Sequence, residues 1–394
     1  MNQPANRGEM RRTISVAIIE PIGGHSGAHY YDFGLCRGLL AAGCRVTLYT
    51  CDETTDPVIP GLTFHPFYRR IYGQNNRSLR GLRYLWGTFA SLTNAVASGE
   101  TVCHFQVFND LIAELTVIAM AKLLGRTLVL TVHDVDSLAE CVSRKRKVTA
   151  WIYRLADRII VHNNASMKEL EVLGVPSAMI AVIPHGHYLD SRRELTAQDE
   201  AKRACGIVPS AKVVLFFGQI KDAKGLDILI DALPQVAYEI PDVILLIAGR
   251  PWKTEFTRYA ALIEELKVGA YCRLNIGFVP DEEVASYFSA ADLVALPYRR
   301  IYQSGVLMMA MTYGRPVVVS DLPGMTEVVS NGVNGYVFKQ GSSSDLARAL
   351  IRGMRDAAER KRIASRASEY IRKHHDWNRI GQSTKELYEA VLAP

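Results

Sequence analysis

At 394 residues the chain exceeds the usual span of one compact core and calls for two domains of similar size. With 48% hydrophobic and 22% charged residues its composition is globular, which excludes disordered, collagen-like and polytopic membrane chains. Its 46 basic and 40 acidic residues leave a net charge of +6, too small a surplus to announce a nucleic-acid binder.

Residues 14–19 form a short β-branched run that stops at Pro21-Ile22-Gly23-Gly24 and gives way to helical spacing over 29–42, closed by Gly43. That is strand, glycine turn, helix. The alternation recurs with strands at 46–50, 62–67, 102–106, 127–132, 158–162 and 179–184, and helices at 111–124 and 165–173. From 191 to 210 the pattern turns polar and charged without a strand, so a linker belongs there. Strands resume at 213–217, 243–248, 273–278, 293–297, 316–320 and 336–338, separated by helices near 226–238, 254–267, 281–290 and 305–313. Beyond Gly341 only charged helical segments remain, the last over 377–392. Strands alternating with helices imply parallel sheets. The expected fold is therefore α/β, with two doubly wound, Rossmann-like parallel-sheet domains at 1–190 and 211–375, a linker at 191–210, and a C-terminal helix at 376–394 docking on one or both domains.

Seven cysteines, at 36, 44, 51, 103, 141, 205 and 272, contain no CxxC pair, so neither a disulfide framework nor a zinc cage is indicated and a reducing compartment fits. The first 12 residues carry three arginines but lead into a strand rather than an apolar signal core, and no 18-residue apolar stretch follows. A cytoplasmic protein is expected, with peripheral attachment at the inner face of the membrane left open.

Open parallel sheets bind ligands outside the carboxyl ends of their strands, so the turns after strands are where chemistry belongs. Gly23-Gly24-His25-Ser26-Gly27 lets backbone approach a ligand closely and aims amides at an anion, without the GxGxxG spacing of a dinucleotide site. Phe217-Gly218-Gln219-Ile220-Lys221-Asp222-Ala223-Lys224-Gly225 puts two lysines after the first strand of the second domain, and Lys224 at a helix start suits a diphosphate. Pro297-Tyr298-Arg299-Arg300-Ile301-Tyr302-Gln303-Ser304-Gly305-Val306 ends a strand and opens an apolar helix, with Ser304 where an N-cap falls and free first-turn amides beyond it. Asp134-Val135-Asp136 spells D-x-D, a pattern common by chance, and no metal site is read from it.

The second half resembles the retaining glycosyltransferases of family 4, which have the GT-B fold of two Rossmann-like domains. Residues 218–225 are similar to the family's G-R-x-x-x-x-K-G, Ile276-Gly277-Phe278-Val279 to the strand and turn beneath its base, and 310–318 to A-M-A-x-G-x-P-V-V; 324–329 and 331–337 extend the likeness. The first half is less specific, matching through Gly23-Gly24, Thr131-Val132-His133-Asp134 and Ile183-Pro184-His185-Gly186. The resemblance implies a sugar moved from a nucleoside diphosphate sugar to a hydroxyl acceptor, with no cofactor. It implies His133 and Lys224 as catalytic residues and Gly23, Gly24, Gly218, Gln219, Lys224, Val279, Gln303, Ser304, Gly305, Val306 and Glu327 as donor contacts. Three positions depart from the pattern: the diphosphate-binding arginine falls on Gln219, and the two glutamates of E-x7-E on Ile301 and Met309. Lys221 or Arg299 is a candidate to replace the missing cation, and Gln303-Ser304-Gly305 fits a branch of the family that writes Q-S-G at this turn.

Between Pro57 and Gly99 there is no acidic residue, while Arg69, Arg70, Arg77, Arg80 and Arg83 alternate with aromatics such as Tyr84, Trp86 and Phe89. Such a mixture suits an anionic membrane surface or an acceptor bearing a lipid diphosphate, can serve single-stranded nucleic acid as well, or else is a soluble helix face with its aromatics in the core. A second basic run, Ser143-Arg144-Lys145-Arg146-Lys147, reads as a solvated helical face. Two other readings share the architecture: a nucleotide-sugar epimerase, for which no cleft pair of carboxylates stands out, and a non-catalytic GT-B binding module, favoured by Ile301 and Met309.

Overall fold

The computed structural model describes residues 13–25, 28–73, 76–108, 111–135, 151–190, 194–252 and 255–393. Asp136, the basic run at 143–147, and Ser26 and Gly27 of the first turn therefore lie outside the described residues.

The strands are β1 (Ser15–Glu20), β2 (Arg45–Cys51), β3 (Leu62–Tyr68), β4 (Val102–Val107), β5 (Thr127–Val132), β6 (Arg158–Val161), β7 (Ile180–Val182), β8 (Lys212–Phe217), β9 (Val243–Gly249), β10 (Cys272–Ile276), β11 (Leu293–Leu296), β12 (Val317–Ser320) and β13 (Tyr336–Phe338). They build a seven-stranded sheet, β3-β2-β1-β4-β5-β6-β7, and a six-stranded one, β10-β9-β8-β11-β12-β13. The pairings among described residues are parallel. Every residue of β1 and β4 is buried, as in a parallel sheet covered on both faces. All the expected strands are present, with ends moved by at most a few residues. This is the GT-B class of fold.

By its internal contacts the chain divides into two compact units, one of residues 1–131, 151–160 and 377–394, the other of 132–150 and 161–376. In the first, helix Trp377–Leu392 packs on helix His29–Ala41. Glycine makes this approach possible: a Cβ on Gly381 would lie 2.1 Å from the carbonyl carbon of Gly38, and one on Gly34 would lie 2.0 Å from the Trp377 indole. Mid-helix glycine costs about 1 kcal/mol relative to alanine, here offset by contact between the two helix backbones. Tyr388 of the same helix hydrogen-bonds Nδ1 of the buried His104 at 2.6 Å, and Thr131 of β5 meets its Nε2 at 2.6 Å.

In the second unit β8 alternates its faces: Val214 and Phe216 join a core with helices Leu226–Glu239 and Ser343–Arg355, Val213 and Leu215 one with helices Asp281–Ala290 and Gly305–Thr312. Helix Gln198–Ala204 lies within the stretch 191–210 that sequence reads as unstructured. Its Ala201 enters the second of these cores, and its buried Lys202 pairs with Asp292 at 3.2 Å and donates to the carbonyl of Ala211 at 2.7 Å. A lysine is normally exposed, so its composition hides the helix.

Candidate functional site at the switch point of the second sheet

The order of the second sheet reverses between β8 and β11: β9 and β10 lie to one side, β12 and β13 to the other. Such a reversal opens a crevice at the carboxyl ends of the two strands. The chain after Phe217 and the chain after Leu296 both enter it.

Gly218 leaves β8 at φ +99°, and Gly249 at the end of β9 comes so near that a Cβ there would sit 1.8 Å from the Gly218 carbonyl oxygen. A short turn, Asp222–Lys224, follows, and Gly225 at φ +63° opens helix Leu226–Glu239. A Cβ on Gly225 would stand 2.0 Å from the carbonyl oxygen of Pro297, so the two turns touch backbone to backbone. The amide of Arg299 donates to the Ala223 carbonyl at 2.8 Å. Lys224 places Nζ 3.8 Å from the centroid of the Tyr298 ring, a cation–π contact. The hydroxyl of Tyr298 lies 3.3 Å from Ser304 Oγ, which caps helix Gly305–Thr312 by accepting from the Leu307 amide at 3.2 Å. The amides of Gly305 and Val306 open this first turn with no intrahelical acceptor. Val306 also borders Gly218: a Cβ there would be 3.3 Å from Val306 Cγ2. Five expected residues, Gly218, Lys224, Ser304, Gly305 and Val306, are thus brought together, with Tyr298 as the link that sequence did not indicate.

Other cations nearby have partners. Arg299 makes a two-pronged contact with Asp227, 2.7 and 2.5 Å. Burial works against ionisation of Asp227, but hydrogen bonds and charge from Arg299 outweigh it and hold the carboxyl below its ordinary range. Arg299 is therefore committed, and does not replace the arginine missing at Gln219. Lys221 lies 5.7 Å from the Trp252 ring centroid. Burial raises the carboxyl of Asp134, while Lys221 and Lys224 draw it down, which puts both ammonium groups within its field. Gln219 and Val279 are half-buried on the turns after β8 and β10. Gln303 buries its Nε2 without a hydrogen-bond partner among the described residues. Ile301 and Met309 pack against the apolar core beneath the turn, so their side chains supply packing rather than hydrogen bonds. The carboxylate of Glu327 accepts from the amides of Asn164 and Ala165, both at 2.9 Å, and from Asn164 Nδ2 at 3.0 Å. These donors occupy both oxygens and fix the start of helix Asn164–Val172.

His133 follows β5 directly, with its Nδ1 3.2 Å from Nε2 of His162. His162 Nδ1 meets the Ile183 carbonyl at 3.0 Å, the His185 ring stands 5.4 Å away edge-on, and His375 Nδ1 meets the His185 carbonyl at 2.6 Å. Burial lowers His162 and His375 to about 4 and holds His185 well below its ordinary value. A histidine held below its unfolded value stays neutral in the fold while the unfolded chain takes up a proton. Its stabilising contribution is thus present above about pH 6.5 and lost as pH falls toward 4. One such imidazole is worth about 3 kcal/mol over that window. Buried Glu20 and Asp32 act in the opposite sense, because burial raises both. We expect His375→Asn, whose amide can still donate to His185, to unfold in urea with a shallower loss of stability between pH 6.5 and 4 than the parent, by up to one proton's worth of slope. Equal slopes would show that His375 is not titrating.

In the first unit the glycine turn is held from within. The amides of Ile22 and Gly23 both donate to the buried carboxyl of Glu20, and that of Gly24 donates to Thr54 Oγ1 at 2.9 Å. These amides are not aimed at an anion, contrary to the expectation from sequence; Glu20 at the end of β1 takes them first. Gly23 at φ +46° and Gly24, whose Cβ would meet the Glu53 carbonyl oxygen at 2.3 Å, are required by packing.

Helix Arg77–Ala97 begins with Asn76 accepting from the Ser78 amide. Leu82 and Trp86 are 63% and 68% exposed, and Leu79 and Phe89 continue the same face at helical spacing. The aromatics of this segment therefore divide, Tyr68 in the core and Trp86 and Phe89 outside. Arg80 and Arg83 donate to the carbonyls of Ile71, Gly73 and Arg70, while Arg69 and Arg77 are exposed. Among the described residues no helix is long and apolar enough to cross a membrane, and no cluster of three metal-ligating side chains occurs.

Residues 26–191 match the family model Glycosyltransferase Family 4, and residues 197–370 the model Glycosyl transferases group 1. The chain is 30% identical over 244 residues to a phosphatidyl-myo-inositol mannosyltransferase of Mycobacterium leprae, a match that covers 61% of each chain. It is 27% identical over 273 residues to a GDP-mannose:glycolipid 4-beta-D-mannosyltransferase of Xanthomonas campestris pv. campestris, covering 69% of this chain and 70% of the other. The chain thus spans about three fifths of the length of the mycobacterial relative. Among solved structures, sucrose-phosphate synthase of Thermosynechococcus elongatus superposes with a TM-score of 0.76 at 20% identity, over 96% of this chain and 99% of that one. Anabaena HepE in complex with UDP does so with a TM-score of 0.73 at 22% identity, over 96% and 100%. These structures share the fold, the two family models follow one another along the sequence, and the chain belongs to glycosyltransferase family 4.

Proposed function

We propose that this protein transfers a sugar from a nucleoside diphosphate sugar to a hydroxyl of a glycolipid or lipid-linked acceptor, with the anomeric configuration retained. The reading rests on the convergence of Lys224 and the open start of helix Gly305–Thr312 at the switch point of the second sheet, joined through Tyr298. A fixed ammonium and unpaired helix amides are what a departing diphosphate requires. In the reaction the bond from the anomeric carbon to the phosphate oxygen breaks, and its electron pair goes to the diphosphate. The acceptor oxygen then bonds to the same face of the carbon, and its proton passes to the leaving phosphate oxygen. No enzymic base is needed for that step. His133 holds the sugar. The named relatives act on phosphatidylinositol and on a glycolipid, which favours a lipid acceptor.

An epimerase would need an accessible acid–base pair. Glu20 and Asp32, which interact with one another, are at most 1% exposed and support no such chemistry. The test is a thermal-shift panel of UDP, GDP, ADP and dTDP, followed by assay for released nucleoside diphosphate with the matching sugar donor. One nucleotide should raise the melting temperature by mass action, by about 2.7 kcal/mol of stability at a hundred times its Kd. No shift with any of the four, and no release, would refute the assignment.

Peripheral attachment belongs to the same proposal, supported by the exposed apolar face of helix Arg77–Ala97 and its neighbouring arginines. Vesicles rich in anionic lipid should float the protein at low salt and lose it at high salt. Each arginine near such a surface contributes about 1 kcal/mol, so neutralising Arg77, Arg80 and Arg83 together should weaken binding by about a hundredfold. Salt-independent flotation, or no change in the triple variant, would leave the face as an ordinary soluble one.

A further inference from the structure

We infer that His162 fixes the tautomer of His133 and is thereby a positioning residue for transfer. This rests on the proposal that His133 meets the donor sugar, and it adds a second histidine to that site.

The assignment follows the hydrogens. A carbonyl oxygen only accepts, so the 3.0 Å contact between His162 Nδ1 and the Ile183 oxygen puts a hydrogen on Nδ1. His162 is 7% exposed, and burial keeps it neutral at physiological pH, which leaves its Nε2 as a lone-pair acceptor. His133 Nδ1, 3.2 Å from that Nε2, must then carry the hydrogen. Neutral His133 is therefore the Nδ1–H tautomer, with Nε2 as the ring's acceptor nitrogen. Protonation of His133 would convert that same nitrogen to a donor without breaking the contact to His162.

The groups around the pair bear on its charge. His185 stands edge-on to His162 and is itself held neutral by burial, and His375 reaches the same cluster through the His185 carbonyl. Asp134 follows His133 in the chain and shares its surroundings with Lys221 and Lys224. A cationic His162 would keep its Nδ1 contact to Ile183 but turn Nε2 into a donor, so that it could no longer accept from His133 and would place a charge among these neutral rings. A neutral acceptor behind His133 is the arrangement the packing favours.

The intact protein labelled with 15N-histidine reports this directly, with the His133 signals identified by their loss in His133→Gln. At pH 8, His133 should show a protonated Nδ1 and an unprotonated Nε2. A protonated Nε2 with bare Nδ1 would overturn the inference without any variant of His162. His162→Phe keeps a ring but removes the acceptor. It should convert the His133 signal to a tautomer mixture and lower kcat about tenfold, the equivalent of one neutral hydrogen bond of about 1.4 kcal/mol, with the donor KM changed less. His162→Gln can accept through its amide oxygen, and should restore both the single tautomer and most of the rate. A wild-type tautomer in His162→Phe would equally sink the idea. Unchanged turnover in His133→Ala, with the tautomer as expected, would remove the sugar contact and leave only the local geometry.

Discussion

Replacing Lys224 with alanine is expected to reduce kcat/KM by about 100- to 1,000-fold, the range seen when one preorganised donor to a developing anion is deleted. The effect should fall mainly on kcat. Negative charge on the diphosphate grows as the anomeric bond stretches, so the ammonium contributes more to the transition state than to the bound donor. Stability should change less. Lys224 is half-buried, and the folded-state contact it loses, Nζ over the buried Tyr298 ring at 3.8 Å, is worth about 1–2 kcal/mol, small beside the loss of rate. Steady-state kinetics and a melting curve on the same preparation separate the two effects. Lys221→Ala is the companion measurement, since Lys221 shares the field of Asp134 but lies toward Trp252 rather than Tyr298. Wild-type kcat/KM in Lys224→Ala would remove the lysine from the mechanism, and a loss of similar size in both variants would mean that general positive potential matters more than position.

The sheets were legible because buried parallel strands are short apolar runs between glycine turns, and helices between them carry an apolar stripe. What sequence could not supply is partnership. Lys202 reads as a surface charge, yet it is buried on Asp292 and hides a helix inside a polar stretch. Arg299 sits where a replacement for the missing arginine would be sought, but Asp227, 72 residues away in a different element, already holds it with two hydrogen bonds. Glu327 belongs to a motif associated with the donor, while its oxygens are taken by backbone amides far off in the chain at Asn164 and Ala165. The glycine pair at 23 and 24 was visible, but not that Glu20 would take the amide of Gly23 and Thr54 that of Gly24. Residue types at fixed spacing identify the turns of the site. Contacts between residues distant in the chain, such as His162 with Ile183, 21 positions apart, or Asn163 Nδ2 with the Tyr302 carbonyl at 2.6 Å, 139 apart, appear only when the chain is folded.

The backbone contact between the two turns leads to the other large effect. Gly225 adopts φ +63°, a region that disfavours any side chain, and its missing Cβ leaves room for the Pro297 carbonyl oxygen 2.0 Å from where that atom would lie. In Gly225→Val the left-handed conformation alone costs about 1–2 kcal/mol. The Pro297 carbonyl must also retreat, and with it the turn that carries Tyr298 and leads to Ser304. Overpacking of this kind adds about 1–3 kcal/mol. A total of about 3 kcal/mol corresponds to a fall in Tm of roughly 6–12 °C for a unit of this size. Nucleotide binding should weaken in the same variant, because Lys224 precedes the strained residue and the Gly305 helix follows the displaced turn. Gly341→Val separates the two causes: Gly341 has φ +77° with nothing within 4 Å of its Cβ position, so it suffers the conformational cost without the collision. The Gly225 variant should therefore melt several degrees below the Gly341 variant and bind nucleotide less tightly, while the Gly341 variant keeps wild-type affinity. Equal melting temperatures would show that the Pro297 carbonyl yields freely, and that the close approach of the two turns is not what builds the site.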